Sequence, residues 1–142
     1  QGKALVFVAE NTACIGIIAL ADTIRDTAKQ SLENLHNLGM KTALLTGDNK
    51  ITAEFLAQQI QIDTIHAELL PEEKVQKVKE MQGNGKTVCM IGDGVNDAPA
   101  LKIADVGVAM GNATEEVKKA AAYITDSNTE NGVAHAIAHY TA

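Results

Sequence analysis

Residues 90–110 read MIGDGVNDAPALKIADVGVAM, which puts three carboxylates (Asp93, Asp97 and Asp105), Asn96 and three glycines directly behind an apolar run. Carboxylates beside an amide oxygen make a hard-oxygen set, suited to Mg2+ that keeps several waters and meets a phosphate. Glycines next to such a set let the backbone approach an anion and offer amide donors. A second polar cluster, Thr46, Gly47, Asp48 and Asn49, follows the apolar ALL of residues 43–45. Lys74, just inside the segment that starts at Pro71, supplies a cation that can neutralise a phosphoryl oxygen. The combination points to phosphoryl chemistry, in which a protein mostly positions charge. Each piece also has a plainer reading: GDG and TGDN are good turn sequences, and a single lysine on a helix face is usually solvated.

These residues need elements that bring them to one place. KALVFVA and CIGIIAL are apolar and β-branched around the polar ENTA, which predicts a hairpin over about residues 3–20. From Asp22, the spacing of Ile24, Ala28, Leu32, Leu35 and Leu38 predicts an amphipathic helix capped by Asp22 or Thr23 and stopped at Gly39. KTALL then reads as a strand, residues 51–60 as a helix, DTIHAEL as a weak strand, and residues 71–81 as a helix with Glu72 and Glu73 in its first turn. KTVCMI predicts a strand, residues 97–103 a short helix, and DVGVAM another strand. A helix from Thr114, a strand around AYIT and a helix from Glu130 finish the chain. Alternating strands and helices with short connections imply a three-layer α/β fold with a parallel sheet covered on both faces. Ligands bind beyond the carboxyl ends of such strands. Thr46, Asp48, Asp93, Asn96 and Asp97 are therefore expected to converge on one edge.

Bulk properties narrow the function. The chain has 142 residues, 46% of them hydrophobic, the size of one domain with a real core. A net charge of −6 argues against a nucleic-acid partner, because affinity for phosphate backbones needs clustered Lys and Arg. No apolar run approaches the roughly 20 residues that cross a bilayer, so no direct membrane insertion of this segment is expected. Cys14 and Cys89 stand alone in predicted strands and are expected to be buried, reduced thiols. His135 and His139 have the i, i+4 spacing of a metal pair but no third ligand, so a partly exposed helix face is the expectation.

LLTGDN, AELLPEEKVQKVKEMQ and MIGDGVNDAPALKIADVGVAMG together resemble the phosphorylation domain of a P-type ATPase, a branch of the haloacid dehalogenase superfamily. GIIALADTIRDTAKQSLENLHNLGMKTALLTGDN is most similar to the heavy-metal subgroup, the copper or zinc/cadmium exporters. The resemblance covers residues 3–111 and implies a Rossmann-like haloacid dehalogenase fold, with Mg2+ as cofactor and a phosphate or ATP-derived phosphoryl group as ligand. It implies that Thr46 and Gly47 hold phosphoryl oxygens, that Asp48 and Asn49 fix the loop, and that Lys74 contacts the phosphate. Asp93 would ligate Mg2+, with Asn96 and Asp97 supporting the ion and the phosphoryl group. Asp22 and Arg25 fall where the family has its Asp-Pro-x-Arg hinge, Thr23 standing in for the proline. The implied partners are the nucleotide-binding and transmembrane domains of a parent transporter, with this domain on the cytosolic face.

Two departures qualify the resemblance. The DKTGT motif that carries the phosphorylated Asp is absent, so the chain alone is expected to be inactive. The C-terminal part, residues 112–142, departs from the ATPase pattern, and GVAMGNATEEVKKAAAYITDSNTENGVAHAI resembles soluble Cof-type phosphatases instead. The whole of 1–142 is expected to form one domain in which CIGIIAL occupies the vacant centre of the sheet and delivers Asp22. Three functions are compatible with this reading: a portion of an ATP-driven metal exporter, a small Mg2+-dependent phosphatase using Asp22, and a non-catalytic or composite fold module.

Overall fold

The computed structural model describes residues 4–20 and 24–141. Asp22 and Thr23, expected to cap the first helix and to contribute to the hinge, lie outside the described residues. The chain opens with strands β1 (Ala4–Glu10) and β2 (Ala13–Leu20), paired antiparallel from Ala4↔Leu20 to Glu10↔Ala13. Asn11, at φ 53, takes the left-handed conformation that the two-residue turn requires. This hairpin forms a sheet of its own. The expectation that β2 fills the centre of the main sheet is therefore wrong. Its side chains show why: Phe7 is 63% exposed and Ile15 62%, and Val6 and Ile18 on the opposite face are also exposed. Among the described residues neither face of the hairpin has a layer packed against it.

Helix α1 (Asp26–Asn37) starts later than its apolar spacing predicts, with Arg25 at the cap and no side-chain cap bond. It stops at Gly39, whose φ of +74 suits glycine. Strand β3 (Ala43–Leu45) leads into helix α2 (Lys50–Ile60), which Asn49 caps by accepting from the Thr52 N–H at 3.0 Å. Strand β4 (Thr64–His66) pairs parallel with β3. Helix α3 (Pro71–Gly83) begins with proline at its first position, and the Glu73 carboxylate accepts from the Leu70 N–H at 2.7 Å. Strands β5 (Cys89–Gly92), β6 (Val106–Ala109) and β7 (Tyr123–Ile124) form a second parallel unit in the order β5-β6-β7. Between them lie a 3-10 turn (Val95–Asp97) with helix α4 (Ala98–Ile103), and helix α5 (Glu115–Ala120). Helix α6 (Gly132–Thr141) closes the chain after a second 3-10 turn, Asn128–Glu130.

The expected α/β fold with parallel strands is present, but the described strands do not form one continuous sheet: β3-β4 and β5-β6-β7 are separate units. Helix α1 packs on both α2 and α6 and so spans the two. The principal core lies in the second unit, where Leu101, Ala109, Ala113 and Val117 cluster with Met90 against them. Strand β6, flanked on both sides, buries Gly107, Val108 and Ala109, whereas β5 is only half-buried and Cys89 is exposed. Cys14 is exposed too, on the hairpin. The expectation of two buried thiols thus fails because one cysteine sits on a sheet without a second layer and the other starts a strand with one open edge.

The first unit is held at the amino ends of its strands by Asp63. Its Oδ2 accepts from the Thr42 N–H (2.8 Å), the Thr42 hydroxyl (2.9 Å) and His36 Nε2 (3.0 Å), and Lys41 Nζ donates to Oδ1 (3.2 Å). The Thr42 backbone bond first, then its hydroxyl, with His36 and Lys41 adding, holds Asp63 well below the usual carboxylate range. A lowered folded-state pKa stabilises the fold above the unfolded value of about 3.9 and loses that effect as pH falls through the folded value. Asp63→Asn is accordingly expected to lower the urea midpoint at pH 7, and the difference from the parent to shrink progressively as the pH falls below about 4.

Close packing makes a second prediction. A Cβ on Gly107 would lie 2.3 Å from the Leu101 carbonyl oxygen, whereas one on Gly83 meets nothing within 4 Å. Gly107→Ala should cost at least the ~1–3 kcal/mol typical of overpacking. Gly83→Ala should stabilise by about 0.4–1 kcal/mol. Urea unfolding of the two variants checks both signs.

Candidate phosphoryl site

Both polar clusters form loops at the carboxyl ends of parallel strands. After β3, the Thr46 hydroxyl donates to Asp48 Oδ2 (2.8 Å) and accepts from the Asp48 N–H (3.0 Å). This loop is stitched to the one after β4 by Leu69 N–H to Thr46 O (3.0 Å) and Glu68 N–H to Asp48 O (2.8 Å). A Cβ on Gly47 would meet only the Leu69 carbonyl oxygen, at an ordinary 3.5 Å. The protein's own packing therefore leaves the face of this loop open.

After β5 the backbone turns tightly through Gly92, Asp93 and Gly94 into the 3-10 turn. Asp97 folds back over the strand end: its Oδ2 accepts from the Gly94 N–H (3.2 Å), and a Cβ on Gly92 would come within 2.9 Å of it. Its Oδ1 accepts from Lys74 Nζ at 2.7 Å, with the two side chains only 15% and 12% exposed. Asp93 is exposed, and one of its oxygens, Oδ2, accepts from Asn112 Nδ2 at 3.2 Å. Asn96 is exposed and makes no side-chain hydrogen bond among the described residues. Asp105, the third carboxylate of the motif, sits at the opposite end, ahead of β6, where its Oδ2 accepts from the Val88 N–H (2.8 Å). That bond first, and Gln82 second, hold it below the ordinary carboxylate range, the signature of a structural anchor.

Of the residues singled out in the sequence, Lys74 and Asp97 are brought into direct contact, Thr46 and Asp48 into another pair, and Asp93 stands beside Asp97 on its turn. No described hydrogen bond or ion pair joins the Thr46–Asn49 loop to the Asp93–Asp97 turn. Arg25 is exposed at the start of α1, without a side-chain partner among the described residues. His135 pairs with Asp126 (2.6 Å) and His139 stacks on Tyr123 at 4.2 Å, so the two histidines do not converge as ligands. Sequence reasoning missed Asn112. Its signal was positional: it follows β6 by three residues and so belongs to the same carboxyl edge.

A parallel α/β sheet with an acidic turn and a Thr-Gly-Asp loop at the carboxyl ends of its strands defines a class, and the chain belongs to the haloacid dehalogenase-like hydrolase family, whose profile matches residues 1–105. Within that family it is homologous to the catalytic domain of heavy-metal P-type ATPases. It is 51% identical over 121 residues to the copper-exporting P-type ATPase of Staphylococcus aureus (strain JH9), a match spanning 85% of this chain and 15% of that protein. A zinc-transporting PIB-type ATPase superposes with a TM-score of 0.79 at 37% identity, over 96% of this chain and 22% of the other. The catalytic domain of the CPx-ATPase CopB-B gives 0.75 at 34% identity, over 96% and 57%. A 3-deoxy-D-manno-octulosonate 8-phosphate phosphatase from Moraxella catarrhalis, at 19% identity and a TM-score of 0.71 over 94% of this chain and 75% of that one, shares the fold. The superposition on the zinc-transporting ATPase covers 96% of this chain and so runs past residue 112.

The Lys74–Asp97 pair yields a prediction. Removing one partner leaves the other shielded from water without its counter-charge, a loss of about 3–5 kcal/mol for fully buried pairs. With both side chains slightly exposed, Lys74→Met is expected near the lower end of that range. Thermal and urea unfolding of the variant measure it.

Proposed function

We propose that this chain forms the phosphoryl-handling part of the catalytic domain of an ATP-driven heavy-metal exporter, and that one further strand running between β3 and β5 completes it. The observation that carries the proposal is the pairing pattern. β3 pairs only with β4 and β5 only with β6 among the described residues, and the loops at their carboxyl ends hold the two polar clusters. A strand with an open edge offers a row of free amide and carbonyl groups, and an apolar strand placed between two such edges satisfies both. In P-type ATPases, which the sequence resembles, the Asp of DKTGT ends such a strand. Between the two loops it would be flanked by Thr46 and Gly47 on one side and by Asp93 and Asp97 on the other.

The donor set fits magnesium. Among the described residues no group of three or more His, Cys, Asp or Glu side chains gathers into a self-sufficient metal cage. Asp93 offers an exposed carboxylate, and Asp97 is engaged by Lys74 and Gly94. Magnesium is typically held by one or two carboxylates together with phosphate oxygens and water. Asp93 would be the protein ligand supplied here, the ion screening charge on the transferred group. Thr46 and Gly47 would hold phosphoryl oxygens by the hydroxyl and the backbone N–H, Asp48 and Asn49 would fix their loop, and Asn96 would face the same group. Lys74 would act both as the partner of Asp97 and as the nearest cation to the phosphate. Asp22 and Arg25 would lie at the hinge to a nucleotide-binding domain, on the cytosolic side of transmembrane domains.

The test uses a synthetic strand. An apolar, β-branched peptide ending in Asp-Lys-Thr-Gly-Thr is added to the chain and thermal unfolding is followed. Peptide at about 100 times its dissociation constant should stabilise by about 2.7 kcal/mol. Mg2+ with beryllium fluoride should raise the midpoint further, and not when Asn replaces the peptide's Asp. A midpoint unmoved by peptide at any concentration overturns the proposal.

A further inference from the structure

We infer that Asn112 is a positioning residue for Asp93, and that through it the C-terminal loop of residues 126–131 sets the orientation of the metal-binding carboxylate. The inference rests on the reading of Asp93 as the magnesium ligand. Asn112 uses both ends of its amide: Nδ2 donates to Asp93 Oδ2 at 3.2 Å, and Oδ1 accepts from the Asn128 backbone N–H at 2.9 Å. The orientation is fixed by chemistry alone, since a flipped amide would set two acceptors face to face at Asp93 and two donors face to face at Asn128. One Asp93 oxygen is thereby engaged by a neutral donor, while Oδ1 accepts no protein hydrogen bond among the described residues. A carboxylate held in this way has its rotamer set without losing the oxygen that binds the cation.

The support behind Asn112 is unusually close. Gly111 donates its N–H to Asp126 O at 3.0 Å, and a Cβ there would lie 2.9 Å from Asp126 C, Ser127 N and Thr125 O. The absence of that Cβ lets the strand end press onto residues 125–127 and aims the next side chain at Asn128. The loop itself is braced by Gly132 N–H and Glu130 N–H, both to Ser127 O at 3.0 Å, and by the Thr27 hydroxyl donating to Asn131 Oδ1 at 3.1 Å. Asp93 is thus tied, through Asn112 and this loop, to the first turn of α1. Side chains that orient metal ligands typically change metal affinity by 10–100-fold when removed.

The experiment is a Mg2+ titration of the 142-residue chain in the presence of the Asp-Lys-Thr-Gly-Thr peptide and beryllium fluoride, read from the backbone amide NMR shifts of residues 92–97, alongside the unfolding midpoint of the chain without metal. The parent should give a saturable shift, and Asp93→Asn should abolish it. Asn112→Ala should raise the apparent Kd about tenfold or more while leaving the metal-free midpoint close to the parent's, and Asn112→Gln, which keeps both amide functions, should recover part of the loss. If Asn112→Ala fails to fold, Asn112→Thr, too short to reach both partners, carries the same expectation. A parent-like Kd in Asn112→Ala or Asn112→Thr, with Asp93→Asn silent, overturns the role of Asn112 and leaves the magnesium reading standing. A parent chain without any saturable shift overturns the magnesium reading, and the role of Asn112 falls with it.

Discussion

The contact on which the carboxyl edge depends is the ion pair between Lys74 and Asp97. Helix α3 is the crossover that leaves β4 and returns to β5, so it belongs to both strand units, and Lys74 sits in its first turns. At 2.7 Å and largely out of water, the pair interacts in a medium where Coulomb attraction is poorly screened. Asp97 in turn closes the Gly92–Gly94 turn through the Gly94 N–H, and that turn determines where Asp93 emerges. One lysine on the crossover therefore fixes the geometry of an acidic turn on a different strand. The same charge offsets the repulsion between two carboxylates four residues apart.

Stability is unevenly spread over this frame. The fully buried large side chains, Leu101, Val78, Val108 and Val117, pack mainly around β6, while the β3-β4 unit buries alanines and relies on the hydrogen-bonded Thr42–Asp63 corner. Hydrophobic burial stabilises in proportion to apolar area, so the second unit is the stiffer scaffold. The Thr46–Asn49 loop is carried by the lighter unit and the acidic turn by the heavier one. Elements with few buried apolar contacts open first, which makes the unit that carries the Thr46–Asn49 loop the more pliant of the two.

Much of this was legible in the residues. Pro71 with Glu72 and Glu73 marked the start of α3, and Gly39 marked the end of α1. The acidic turn was legible because glycines flank carboxylates directly behind an apolar strand. Other features were not readable in advance. Ile24 extends the helical spacing of α1, yet spacing is silent about where the first hydrogen bonds form, and the helix begins only at Asp26. The apolar character of CIGIIAL says that it should be covered but not by what, and the strand pairs with its neighbour instead of entering the sheet. Asp105 looked like a third member of the acidic cluster, but only the direction of β6 reveals that it sits at the far end. Asn112 was hidden for the opposite reason: its role lies in two contacts across sixteen or more residues, which no local pattern encodes.

The hairpin carries a consequence for the chain as a material. Leu5, Phe7, Ile15 and Ile17, together with Val6, Val8 and Ile18, are all exposed on a two-stranded ribbon whose outer edges are also open. Contiguous apolar surface joined to unpaired strand edges is the combination that drives strand-on-strand self-association. Six net negative charges oppose such contacts through long-range repulsion, but salt screens it over about 10 Å at 0.1 M. The colloidal behaviour of the isolated chain is thus a contest between a cohesive ribbon and a weakly anionic body, and ionic strength decides which prevails.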